Sequence, residues 1–145
     1  MTTIVSTQTT RLAAPEFQLK AASIGTLGFA LMIVLGSHEA TDGPLRWFAD
    51  LLFWPLGDPQ TLTDEAQLLA AILGGVMASW AAIIWLLTDS LAQEQPLILR
   101  RIILTAMAIW FVIDSVGSVA SGGWLNVVGN VGFLAIFVLP AWRLA

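Results

Sequence analysis

Cysteine and tyrosine are absent from the chain, and histidine occurs once, at His38. Without cysteine there are no disulfides, thiolate metal sites, iron–sulfur clusters or cysteine nucleophiles. A single histidine also excludes a self-contained bis-histidine haem, which would need two axial ligands from one chain. Charge is scarce: 11% of the 145 residues are Asp, Glu, Lys or Arg, against about a quarter in an ordinary soluble domain. Six cations and a net charge of −4 supply no basic surface for tracking phosphates, which rules out a nucleic-acid binder. The chain is instead 57% hydrophobic, with a mean hydropathy of +0.82. That is the composition of a small multi-pass membrane protein, neither a soluble globule nor a disordered chain.

A spanning helix takes about 20 mainly apolar residues. Four charge-bounded runs qualify, at about residues 20–37, 66–88, 101–122 and 124–142. The first is not read as a secretory signal. It is longer than a usual signal core, and His38-Glu39-Ala40 makes a poor small-residue cleavage site. Residues 1–15, rich in Thr and Ser and without an apolar period, are expected to be a flexible tail. The expected fold is one all-α membrane domain over residues 1–145: four transmembrane helices in an antiparallel bundle, plus one short amphipathic helix in the outer loop.

With four spans, Arg11, Lys20, Arg100, Arg101 and Arg143 share one side of the membrane, and Arg46 stands alone on the other. The positive-inside rule then places both termini in the cytoplasm, for a host with a bacterial inner membrane. The acidic residues Glu39, Asp42, Asp50, Asp58, Asp64 and Glu65 all fall in the long outer loop. Within it, about residues 44–54 place Arg46 and Asp50 four apart on one helical face, with Trp47, Phe48, Leu51 and Leu52 on the other. Thr41-Asp42-Gly43-Pro44 offers a cap and a first-turn proline, and Trp54-Pro55 a stop. This segment is too short to span, so it lies on the outer membrane surface or forms a lid over the bundle mouth. Thr63 is read as the cap of the second span, with Asp64 and Glu65 in its first turn.

Small residues at four-residue spacing mark helix-packing positions: Ala71, Gly75 and Ser79 on the second span, and Ala22, Thr26 and Ala30 on the first. A contact between these two spans is expected. On the third span Gly117 belongs to a small, polar stripe with Asp114, Ser118 and Ser121. Asp114 lies 13 residues beyond Arg101, roughly 20 Å in from the basic side and about 12 Å below Gly122. A carboxylate at such depth is costly and marks a candidate functional site. The short Gly122-Gly123 turn folds span four back on span three, so Asp114, Ser118, Asn126 and Asn130 are expected to form a buried polar cluster. Two roles are open for it: fixing helix register, or exchanging a proton or binding a cationic substrate.

His38, Glu39 and Asp42 form a weak candidate metal site at the outer mouth, against the plainer reading of a solvated helix end with no metal. Trp47, Trp54, Trp124 and Trp142 are placed as interfacial anchors. Trp80, Trp85 and Trp110 fall inside spans, where they either pack or touch a bound lipid, quinone or pigment. No cofactor is required by the sequence.

The stretches Asp114-Ser115-Val116-Gly117-Ser118, Asn126-Val127-Val128-Gly129-Asn130 and Asp42-Gly43-Pro44 followed by Trp47-Phe48 resemble small bacterial four-span integral membrane proteins. That resemblance implies a multi-pass fold and no particular activity. Small multidrug transporters are also four-span chains with one buried carboxylate, but theirs sits in the first span and here it is in the third. The sequence holds no nucleophile constellation, phosphate loop or haem-ligand pair. The leading expectation is therefore a non-catalytic accessory or structural subunit of a larger inner-membrane complex, respiratory or photosynthetic, with other membrane subunits, a second copy of itself and the lipid bilayer as partners. The alternative is a small proton-coupled transporter or channel with Asp114 as the coupling carboxylate.

Overall fold

The computed structural model describes residues 14–55 and 61–144. Most of the expected tail, with Arg11, lies outside the described residues, as does Asp58. Regular structure among the described residues is all helical: α1 (Pro15–Leu35), α2 (Gly43–Leu52), α3 (Asp64–Leu91), α4 (Pro96–Ala120) and α5 (Leu125–Trp142). Helices α1, α3, α4 and α5 are long and apolar enough to cross a membrane, as in a membrane protein.

Proline starts three of these helices. α1, α2 and α4 each hold one in the first turn, where its missing N–H has no helical partner to lose. α3 starts at Thr63, whose Oγ1 accepts from the Ala66 N–H at 3.3 Å, with Asp64 and Glu65 in the first turn. The helices outrun the apolar runs. α4 begins at Pro96, so Arg100 and Arg101 sit in its second turn instead of ahead of it, and α3 continues through Asp89 to Leu91. Lys and Arg are good helix formers. Charge therefore marks where the apolar stretch stops, while proline marks where the helix starts.

Arg46 Nη1 lies 3.8 Å from Asp42 Oδ2, one turn back, and the Asp42 side chain makes no capping bond. Of the four apolar residues expected on one face, Phe48 and Leu52 are half-buried, while Trp47 and Leu51 are exposed along with Arg46 and Asp50. Phe48 meets Phe29 of α1 edge-on, with centroids 5.2 Å apart.

The most extensive helix contact joins α1 to α3, followed by α4 to α5, with α1 also packed on α5. The core is built from Leu19, Ile84, Leu99, Ile103, Met107 and Phe137, none more than 4% exposed. Polar contacts gather the start of α1, the end of α3, the start of α4 and the end of α5. Lys20 pairs with Asp89, Gln93 Nε2 donates to Glu16 Oε1 at 3.1 Å, Arg143 donates to Gln18, and Arg100 stacks on Trp142 at 4.2 Å.

The α1 row Ala22, Thr26 and Ala30 is buried, but the α3 row that meets α1 is offset by one residue from the expected one. Ala70 and Gly74 are buried; Gly75 and Ser79 are exposed and Ala71 is only half-buried. Both rows read alike in sequence, because Ala70, Gly74 and Ala78 are as small as Ala71, Gly75 and Ser79. Spacing alone does not choose between them. A methyl group on Gly74 would stand 2.8 Å from the Ala30 carbonyl oxygen and 3.0 Å from the Val34 nitrogen, both backbone atoms that cannot swing aside. At Gly75, and likewise at Gly117, it would meet nothing within 4 Å, so neither serves close packing within the chain.

Among the described residues three hydroxyls are buried: Ser23, Thr26 and Thr88. Each donates to the carbonyl four residues earlier, on Leu19, Ala22 and Ile84, at 2.9, 2.9 and 2.7 Å. No buried side-chain polar atom among the described residues lacks a partner. Gly74→Leu is expected to destabilise the fold by about 1–3 kcal/mol through overpacking, and Gly75→Leu by much less. Thermal melting in detergent followed by helical circular dichroism measures both, and equal losses would contradict the offset row.

Candidate functional site: a polar ladder between two helices

Between Ala120 and Leu125 the chain reverses in four residues. Gly122 takes a φ of +85°, the left-handed region where an added Cβ would be strained. Its N–H donates to the Val119 carbonyl at 3.1 Å, and the Asn126 N–H to the Gly123 carbonyl at 3.0 Å. This turn lays the first half of α5 against the last half of α4.

Asn126 provides the first rung. Its amide nitrogen donates to Ser118 Oγ at 2.8 Å and to Asp114 Oδ1 at 3.3 Å. The Ser118 hydroxyl has one proton, and its shortest acceptor is the Asp114 backbone carbonyl at 2.7 Å, with Asp114 Oδ1 farther at 3.3 Å. Asn130 provides the second rung by donating to Ser115 Oγ at 3.3 Å. The ladder thus joins Asp114, Ser118 and Asn126, whereas Asn130 is bonded to Ser115 and not to the carboxylate. Ser115 follows Asp114 directly and so lies about 100° around the helix. An i, i+4 stripe omits it, yet two adjacent faces of α4 straddle α5.

Asp114 is half-buried. Its Oδ1 accepts from Asn126 and lies 3.3 Å from the Ser118 hydroxyl, while its other oxygen accepts no hydrogen bond from a described residue. No ion pair among the described residues includes it. That second oxygen is not sealed inside the protein either. Its chain neighbour Ile113, about 100° around the helix, is 69% exposed. The site is therefore one satisfied carboxyl oxygen facing α5 and one unsatisfied oxygen at the bundle surface.

No family model, curated protein or solved structure matches the chain. The site is accordingly read from its own chemistry.

The remaining candidates are dispersed. His38, Glu39 and Asp42 do not converge: no group of three His, Cys, Asp or Glu that could hold a metal occurs among the described residues. His38 Nδ1 instead accepts from the Ala40 N–H at 3.1 Å, and Asp42 turns to Arg46. Trp47, Trp54, Trp124 and Trp142 are all exposed. Trp80 and Trp110 pack with Phe133 and Phe137, with centroids 5.2 to 6.1 Å apart, and Trp85 lies under the Lys20 ammonium at 5.2 Å. The Lys20 contacts with Asp89 and Trp85 were not legible from spacing, because they join positions 69 and 65 residues apart.

Asn126→Leu is expected to lower stability by about 0.6 kcal/mol for each rung bond lost, and by no more than about 1.7. In a double-mutant cycle with Ser118→Ala the two losses should couple. Strictly additive losses would show that the Asn126 to Ser118 bond contributes nothing.

Proposed function

We propose that the chain is a non-catalytic accessory or structural subunit of a larger bacterial inner-membrane complex, docking through the surface of α4 that carries Asp114. One observation carries this reading. Asp114 has an oxygen that no described residue meets and that is not sealed inside the protein, on a helix long and apolar enough to cross a membrane. Lipid tails satisfy an exposed side chain such as Ile113, but they offer no donor to a carboxyl group. On insertion scales such a group costs about 2.5–3.5 kcal/mol, more than the bond from Asn126 offsets. A donor from a neighbouring chain removes the deficit.

The same reading has the four long helices as an antiparallel bundle, α2 as an amphipathic helix on the outer surface, and both termini in the cytoplasm. Its support is the gathering of Lys20, Arg100, Arg101 and Arg143 at the joined helix ends, with Arg46 on α2. α4 has the most surface to offer a partner, since 11% of its apolar stretch is buried within the chain against 33% for α1.

A photo-crosslinking amino acid at Ile113 is expected to give one discrete adduct with another membrane polypeptide. Asp114→Leu should abolish that adduct, and Asp114→Asn, which still hydrogen-bonds, should retain it. An adduct unaffected by Asp114→Leu would remove the carboxyl from the interface. Absence of any adduct, together with a cation flux in proteoliposomes lost in Asp114→Asn, would replace this reading with a proton-coupled transporter. For orientation, cysteines placed singly at Gln93 and Ala40 should be labelled from opposite faces in cells, Gln93→Cys only from the cytoplasm. Labelling of Ala40→Cys from the cytoplasm would invert the assignment.

A further inference from the structure

The joined helix ends hold four cations among the described residues, and they are not in equivalent states. Lys20 is ion-paired with Asp89 and lies over Trp85. Arg143 is bonded to Gln18. Arg100 is stacked on the Trp142 ring, 4.2 Å from its centroid, and neither it nor Arg101 has a carboxylate partner among the described residues. Glu94, in the turn before α4, pairs with neither.

These two arginines border an open hollow of about 360 Å³ lined by Leu97, Arg100, Arg101, Leu104 and Thr105. The residues recur at helical spacing along one side of α4. Stacking on Trp142 fixes the plane of the Arg100 guanidinium while leaving its edge N–H groups free to donate. Thr105 lies one turn deeper than Arg101, about 6 Å along the helix. The hollow therefore presents two positive charges, that of Arg100 held in place by Trp142, with a hydroxyl one turn farther along and leucine beside both. A free inorganic anion has no use for the leucines, and a neutral lipid has none for two unpaired arginines. A molecule with an anionic head and an apolar tail uses all of them.

We propose that this hollow binds an anionic phospholipid. Arg100 and Arg101 hold the phosphodiester, the Thr105 hydroxyl sits at the depth of the acyl ester carbonyls, and Leu104 lines the path of a chain into the bilayer. The site depends on membrane insertion but not on a partner subunit at Asp114, which lies 13 residues farther along α4 than Arg101.

The test is native mass spectrometry of the full chain from mixed micelles containing equal phosphatidylglycerol and phosphatidylcholine. Phosphatidylglycerol should be retained preferentially. The double variant Arg100→Gln with Arg101→Gln should lower its retention roughly thirtyfold while leaving phosphatidylcholine unchanged. The control pair Lys20→Gln with Arg143→Gln removes the same charge from the same end and should have little effect. Arg100→Lys with Arg101→Lys keeps the charge and should retain most of the preference, which guards against misfolding of the Gln variant. Millimolar inorganic phosphate should not displace the lipid. Equal retention of the two lipids, an equal loss in the control pair, or displacement by inorganic phosphate would each overturn the site. So would a copurifying protein that covers both arginines while no lipid is bound.

Discussion

Hydrocarbon offers no hydrogen bonds, so every polar side chain between the two ends of the long helices has to find its partner within the protein. The chain meets this requirement in three ways. Ser23, Thr26 and Thr88 bond back to their own helices, which lets them be buried without a partner on the next helix. Asn126 and Asn130 reach across from α5 to α4. Asp114 is met on one oxygen alone. The first two solutions close the fold, and the third leaves it open at one surface position.

Packing, more than charge, holds the pairs together. The Lys20 to Asp89 ion pair is 27% and 63% exposed on its two sides, and pairs of that kind contribute about 0–1 kcal/mol. The near-contact of backbones at Gly74 admits no side chain at all, so it fixes where α1 and α3 can meet. Between α4 and α5 the ladder plays the corresponding part by setting which residues face one another. The aromatic group of Trp80, Trp110, Phe133 and Phe137 then fills the space between α3, α4 and α5.

Much of this was legible in the sequence, for identifiable reasons. Long apolar runs have no alternative to long helices, so four of the five helices follow from composition. The contact of Asn126 with Ser118 follows from a short glycine turn and similar depths on either side of it, whereas the depth match of Asn130 to Asp114 led to Ser115 instead. The details that escaped share one cause, the degeneracy of helical spacing. Ala70-Gly74 and Ala71-Gly75 are equally good small-residue rows, and only the placement of α1 selects the first. Asn130 found Ser115 because α5 sits across two faces of α4. Arg46 has carboxylates one turn away in both directions, Asp42 and Asp50, and spacing alone does not show that its guanidinium comes within 3.8 Å of Asp42.

On the proposed reading, the carboxyl half-satisfied by its own chain is what distinguishes a subunit from a self-sufficient bundle. The most direct measurement of that difference is the mass of the particle when the tagged chain is extracted with its surrounding native lipid and examined without detergent. The account predicts a discrete assembly containing other membrane polypeptides in fixed stoichiometry. A particle holding this chain alone, or two copies of it and lipid, would contradict it.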